Sequence, residues 1–238
     1  MKSFCPHKVA TESYWPTYDE IRDFNSKWRE SGFSNDLRMS GVFTGSKLTY
    51  MAFPICIAKK LSTELGRPCR VIDLGSGAGK AGFYFNKADC EVIGIEKNGC
   101  RHELSQLHLE LLKQAGILEN KILLKFLHAD IFPPGFKAKR CFVGNSDIFA
   151  AQLAPTSVGS SRHIPNELYK WADLFYHFQV ETADNLLRLF VEQAKPGALL
   201  YITQHGHPHE YSRVPRGVRY LNQEDSFLSI GHLYQKIS

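Results

Sequence analysis

A short apolar run that stops in a glycine loop and resumes as a helix constrains this chain more than any other feature. Arg70-Val71-Ile72-Asp73-Leu74 reads as a buried parallel strand, because it is brief, apolar and set off upstream by Gly66 and Pro68. Gly75-Ser76-Gly77-Ala78-Gly79 follows, between that strand and a predicted helix. Strand, glycine turn and helix in that order make a place where backbone can approach a ligand closely at the carboxyl edge of a sheet.

Three kinds of loop compete for this segment. A phosphate loop of the Walker type fails, since position 74 is not glycine and Ala81 replaces the hydroxyl that would hold magnesium. A dinucleotide fingerprint fails from Gly75, where Lys80 takes the third glycine's place. Gly77, Gly79 and Gly82 satisfy it only in a later register, further from the strand, so a Rossmann dehydrogenase is the weaker reading. What remains is G-x-G-x-G preceded by an acid. Asp73 would repel a pyrophosphate, but could orient loop amides or favour a ligand carrying an ammonium and a sulfonium.

Downstream the periodicity alternates as a βαβ series should. Residues 91–96 are strand-like and end in Glu96, roughly 20 residues past the glycines, where a ribose diol would present two donors to an acceptor. Residues 100–115 form a predicted helix with Leu104, Leu107, Leu111 and Leu112 on one side. The next strand, 122–127, runs into His128-Ala129-Asp130, a second acid where an adenine amino group could donate. Strands at 172–178 and 198–203 enclose a helix at 182–193, and apolar residues near 218–221 and 227–234 suit a closing antiparallel hairpin. Upstream, residues 47–65 look helical, with Pro54 a potential break.

These segments resemble the successive motifs of the class I, seven-stranded S-adenosylmethionine-dependent methyltransferases: Asp73 to Gly79, Gly94-Ile95-Glu96, Ala129-Asp130, and Lys195-Pro196-Gly197-Ala198-Leu199-Leu200-Tyr201-Ile202-Thr203. The resemblance covers residues 65 to 205 apart from an insertion. It implies a doubly wound α/β sheet of order 3-2-1-4-5-7-6, with S-adenosyl-L-methionine across the carboxyl ends of its first half. Asp73, Gly75, Ser76, Gly77, Gly79, Glu96 and Asp130 become the cofactor residues, Glu96 toward the ribose and Asp130 toward the adenine. Asp-Leu-Gly-Ser-Gly paired with Gly94-Ile95-Glu96-Lys97 is also similar to the non-SET histone lysine methyltransferases. The expected organisation is a single domain: a helical cover (1–65), a cofactor half (66–130), an insertion (131–171) and an acceptor half (172–238).

The acceptor side is read from the strand ends. The fourth strand runs into Tyr176, His177 and Gln179, which could position or deprotonate an acceptor, with no Asn-Pro-Pro-Tyr to bind an amide or exocyclic amine. Four phenylalanines of the insertion, Phe132, Phe136, Phe142 and Phe149, are candidate acceptor walls. The expected activity is methyl transfer to an N or O atom of a protein side chain or small molecule, with a catalytically silent cofactor-binding scaffold or sensor as the alternative. His205, His207 and His209 alternate in an irregular segment without a further ligand, so no metal is expected. A formal charge of +5 without a basic stripe does not point to nucleic acid. Six scattered cysteines with no C-x-x-C pair, no signal-like leader and no membrane-spanning apolar run suggest a cytoplasmic protein, with leaderless secretion left open.

Overall fold

The alternating periods resolve, in the computed structural model, into α1 (Leu48–Leu65), β1 (Arg70–Leu74), α2 (Lys80–Lys87), β2 (Glu91–Glu96), α3 (Gly99–Gln114) and β3 (Leu124–His128). Then come α4 (Asn166–Trp171), β4 (Leu174–Phe178), α5 (Ala183–Gln193), β5 (Leu199–Thr203), β6 (Val218–Tyr220) and β7 (Gly231–Lys236). The structure describes residues 23, 48–118, 122–136, 162–178, 183–203, 214–221 and 231–238. The expected cover before residue 48, Phe142 and Phe149 of the insertion, Gln179, and His205 to His209 lie outside the described residues.

One seven-stranded sheet runs β3-β2-β1-β4-β5-β7-β6, the order the sequence resemblance implies. β1 lies parallel between β2 and β4, β3 and β5 extend the parallel set, and β7 enters antiparallel between β5 and β6. Alternation along each strand divides the core. Val71, Val92, Phe126, Tyr176, Tyr201 and Leu233 face α1, α2 and α3, whereas Ile72, Ile95, Phe175, Leu200, Ile202 and Tyr234 face α4 and α5. Both sheet faces are therefore covered, as a doubly wound fold requires.

Two local expectations are corrected. Pro54 lies inside α1 without ending it. A helix-interior proline costs about 3 kcal/mol, but Met51, Ile55 and Ile57 of the same helix are fully buried, and each contributes roughly 1.5–3 kcal/mol. Burial wins. In α3 the buried positions are Ser105, His108, Leu109 and Leu112, while Leu107 is 52% exposed and Leu104 and Leu111 are only half-buried. The helix is turned so that the His108 Nδ1 reaches the Ala78 carbonyl at 3.2 Å, a polar tie to the glycine loop that a leucine stripe could not make.

At the amino edge of the sheet, Asp173 gathers three segments. Its carboxylate accepts from Arg67 Nη1 and Nη2 at 2.8 and 3.0 Å, from Lys195 Nζ at 2.6 Å and from the Arg70 N–H at 3.0 Å. Burial alone would raise this carboxyl, but Arg67, Lys195 and the Arg70 amide outweigh it and hold it below its ordinary value. Among the described residues no helix is long and apolar enough to cross a membrane. Asp173→Asn should cost roughly 2–3 kcal/mol near neutral pH, since two cations lose a partly buried partner. A carboxyl held low in the folded state stabilises above its unfolded pKa and loses that contribution as pH falls through the folded value. The difference between variant and parent in urea denaturation should therefore shrink below about pH 4, near the ordinary value of 3.8.

Candidate cofactor and active site

The glycine loop is folded onto the end of β2 by its own amides. Gly75 and Ser76 both donate to the Ile95 carbonyl at 2.9 Å, Gly79 donates to Ser76 O at 2.9 Å, and Gly77 donates to Glu96 Oε2 at 2.8 Å. The other Glu96 oxygen accepts the Asn98 N–H at 2.7 Å, and Asn98 in turn caps α3 by accepting from the Arg101 N–H. Glu96 is only 6% exposed, yet a carboxylate offers about four lone-pair sites and these contacts use two.

Gly79 turns the chain into α2 with φ +88°, and a Cβ there would lie 2.7 Å from the Phe126 ring. Gly94 matters differently. A Cβ on it would fall 2.4 Å from Phe126 and 2.9 Å from the Ser76 Cβ, so the missing side chain on β2 is what lets Ser76 fold down over the strand. Asp73 is the register partner of Gly94, and Glu96 lies two residues further along the same face. Ser76 thus lies over the sheet face that carries both acids.

Asp73 is 2% exposed. Burial first, and the neighbouring Glu96 second, push its carboxyl up to about 7, against the pull of a hydrogen bond from the Gly82 N–H. Its Oδ2 and the Ser76 Oγ are buried without a hydrogen-bond partner among the described residues. Across β3, Asp130 Oδ2 pairs with Lys97 Nζ at 2.6 Å and Oδ1 accepts the Phe132 N–H at 3.0 Å. His102 stacks on His128 beside them, with ring centroids 5.4 Å apart. Its imidazole is held below its ordinary value by burial and by His128.

On β4 the two described candidates part company. Tyr176 is fully buried on the α2 side, edge-on to Phe85 and stacked with Tyr201, and its hydroxyl accepts from Thr203 Oγ1 at 3.3 Å. His177 points to the other face, 8% exposed, with Nδ1 donating to the Leu74 carbonyl at 2.6 Å. That carbonyl can only accept, so the proton sits on Nδ1 and Nε2 keeps a lone pair, which has no partner among the described residues. Burial lowers the imidazole below its ordinary value. The ring lies 3.8 Å from where a Gly75 Cβ would be, against the glycine loop. Of the insertion walls, Phe132 and Phe136 stack at 4.8 Å, and Arg188 lies over Phe136.

As site residues, Lys97, Asn98 and His102 escaped the sequence reading, Lys97 having entered only as the last residue of the Gly94-to-Lys97 motif. Asn98 carried a usable signal, an Asn directly before a helical period. Lys97 and His102 carried none, because a charged residue after a strand and a histidine in a first turn are ordinary.

No protein-family model matches the chain, and no curated protein matches it. Among solved structures it is similar to a candidate methylase from Haemophilus influenzae, with 14% identity and a TM-score of 0.47, covering 75% of this chain and 93% of that one. It is also similar to the 16S rRNA methyltransferase RsmC of T. thermophilus in complex with AdoMet and guanosine, with 16% identity and a TM-score of 0.44. That match covers 83% of this chain but 46% of the other. These superpositions are loose, and the fold rests on the strand order and register.

A carboxyl raised in the folded state binds its proton above the unfolded pKa of 3.8, so folded stability falls as pH rises from there through about 7. Asp73→Asn removes that term. Relative to the parent, the variant should gain stability by roughly 2–4 kcal/mol between pH 4 and pH 7 and level off above. Chemical denaturation across that range measures it, and a flat difference would show Asp73 to be ionised throughout.

Proposed function

We propose that the chain is an S-adenosylmethionine-dependent methyltransferase acting on a nucleophilic N or O atom. The observation that carries this reading is the acidic, glycine-floored carboxyl edge of β1 and β2, where Glu96 pins the loop and Asp73 lies buried beside it, with no cationic side chain bonded to either among the described residues. A pyrophosphate would meet two carboxylates there, whereas a ligand with hydroxyl donors and positive charge meets acceptors. The residues fit the cofactor. Glu96 would accept from the ribose hydroxyls with its remaining lone pairs, Asp130 would accept from the adenine amino group, and Gly75 and Gly77 would admit close approach. Ser76 Oγ and Asp73 Oδ2 are buried polar atoms with bonds still to make.

When bound, S-adenosylmethionine supplies an electrophilic methyl carbon on a sulfonium. The chain's part is alignment and exclusion of water. His177, neutral and fixed by Leu74, offers Nε2 as a proton acceptor or positioning group to whatever lies against Gly75. Tyr176, buried with its hydroxyl engaged by Thr203, supports β4 in this reading rather than touching the acceptor. The burial of both groups favours one second reading, a catalytically silent cofactor-binding module. The parent molecule of the acceptor stays broad: nothing supports the closer likeness to histone lysine methyltransferases, and nucleic acid stands with proteins and small molecules as a source.

Thermal shift should show stabilisation by S-adenosylmethionine and S-adenosylhomocysteine and none by NAD, and stabilisation by NAD alone would overturn the reading. Glu96→Gln keeps the size of the side chain but loses the charge. It should weaken both cofactor forms by roughly 10- to 100-fold in titration calorimetry, the range for a charge-assisted hydrogen bond. Methyl-labelled donor incubated with a fractionated lysate separates an enzyme from a silent module.

A further inference from the structure

Asp73 and Glu96 stand on one face of adjacent parallel strands, and Ser76, its buried hydroxyl without a hydrogen-bond partner among the described residues, folds over Gly94 on that face. Among the described residues the two acids receive backbone N–H groups alone: Gly82 on Asp73, Gly77 and Asn98 on Glu96. Lys97 is bound to Asp130, and Lys80 lies over the Tyr84 ring. From β4 the register neighbour of Asp73 is Tyr176, whose hydroxyl is taken by Thr203, while His177 lies on the opposite face. From α3, His102 feels Glu96 and its own neighbour Glu103. A carboxyl buried beside a second acid is disfavoured in its ionised form unless a positive charge compensates it.

We propose that a ligand carrying positive charge at the glycine loop displaces a proton from the Asp73–Glu96 pair into solvent, so that the site selects cationic ligands near neutral pH and loses them on acidification. The balance is one proton leaving the carboxyl as one ligand charge arrives. No bond to carbon or sulfur changes. The inference rests on the cofactor reading above, and it adds a property of the site: the sulfonium donor gains more from the ionised pair than its thioether product, which retains only the ammonium. Asp73 supplies the proton because its burial makes it the carboxyl raised toward neutrality, in keeping with its unmade bond at Oδ2.

The test is titration calorimetry with S-adenosylmethionine and with S-adenosylhomocysteine, in buffers of different ionisation enthalpy, from pH 5.5 to 7.5. For the donor the dissociation constant should rise roughly 10- to 30-fold from pH 7.5 to 5.5, with about half a proton or more released per site near pH 7. The product should release less. Asp73→Asn should abolish both the release and most of the pH dependence, whereas His102→Gln should keep them. Donor binding without proton release in the parent protein would overturn the inference, a result that does not depend on any variant folding. So would release that survives in Asp73→Asn and vanishes in His102→Gln. Absence of donor binding at every pH would instead overturn the cofactor reading itself.

Discussion

The carboxylate of Glu96 is the hinge on which the carboxyl edge of this sheet depends. One oxygen holds the Gly77 amide and the other the Asn98 amide, so a single side chain at the end of β2 ties together the loop after β1 and the start of α3. Both are charge-assisted hydrogen bonds to backbone, the stronger kind, and both are shielded from water. Without that tie the glycines would be a flexible turn with large backbone entropy to lose. With it, Gly75 and Ser76 settle on the Ile95 carbonyl and the loop acquires one shape. A side chain expected only to meet a ribose therefore also builds the surface that the ligand would rest on.

The two edges of the sheet handle charge in opposite ways. At the amino edge Asp173 is compensated by Arg67 and Lys195, so its ionised form stabilises the fold. At the carboxyl edge Asp73 and Glu96 have no bonded cation among the described residues, and burial beside Glu96 makes ionisation of Asp73 oppose folding. The acids at the two edges are alike in chemistry and differ in their neighbours. A stability cost tolerated at one edge and avoided at the other is the pattern expected where a ligand, rather than the chain, completes the electrostatics.

Much of this was legible in the sequence, for identifiable reasons. β1, β2, β4 and β5 are short, apolar and buried on both faces, so hydrophobic runs marked them within a residue or two. The acids Asp73, Glu96 and Asp130 could be placed because each lies at or just beyond a strand's carboxyl end, a position set by chain order alone. The orientation of α3 was not legible, since its apolar stripe of Leu104, Leu107 and Leu111 competes with a polar contact from His108 to Ala78 that no periodicity encodes. Pro54 misled for the opposite reason: local propensity argued against a helix that tertiary burial sustains. Nor could alternation along β4 say which face meets the glycine loop. Chemistry favoured His177 as the base, since an imidazole titrates near neutrality, and Tyr176 for positioning, but only the assembled sheet says which of them lies against the loop.

That last distinction decides what chemistry β4 can offer. Tyr176 shares its face with Asp73 and spends its hydroxyl on Thr203 inside an aromatic stack with Phe85 and Tyr201. Its ring fills space within that stack. His177 spends Nδ1 on the last carbonyl of β1, a group at the strand end where the chain leaves the sheet, and this bond fixes both tautomer and ring plane. Nε2 is thereby left as a neutral acceptor, and burial keeps it neutral at pH values where a free imidazole begins to charge. A cationic imidazole against the glycine loop would repel the same positive ligand that the Asp73–Glu96 pair favours. Keeping His177 uncharged and keeping the two acids short of a cation are thus the same electrostatic choice, made on opposite faces of the sheet around one turn of backbone.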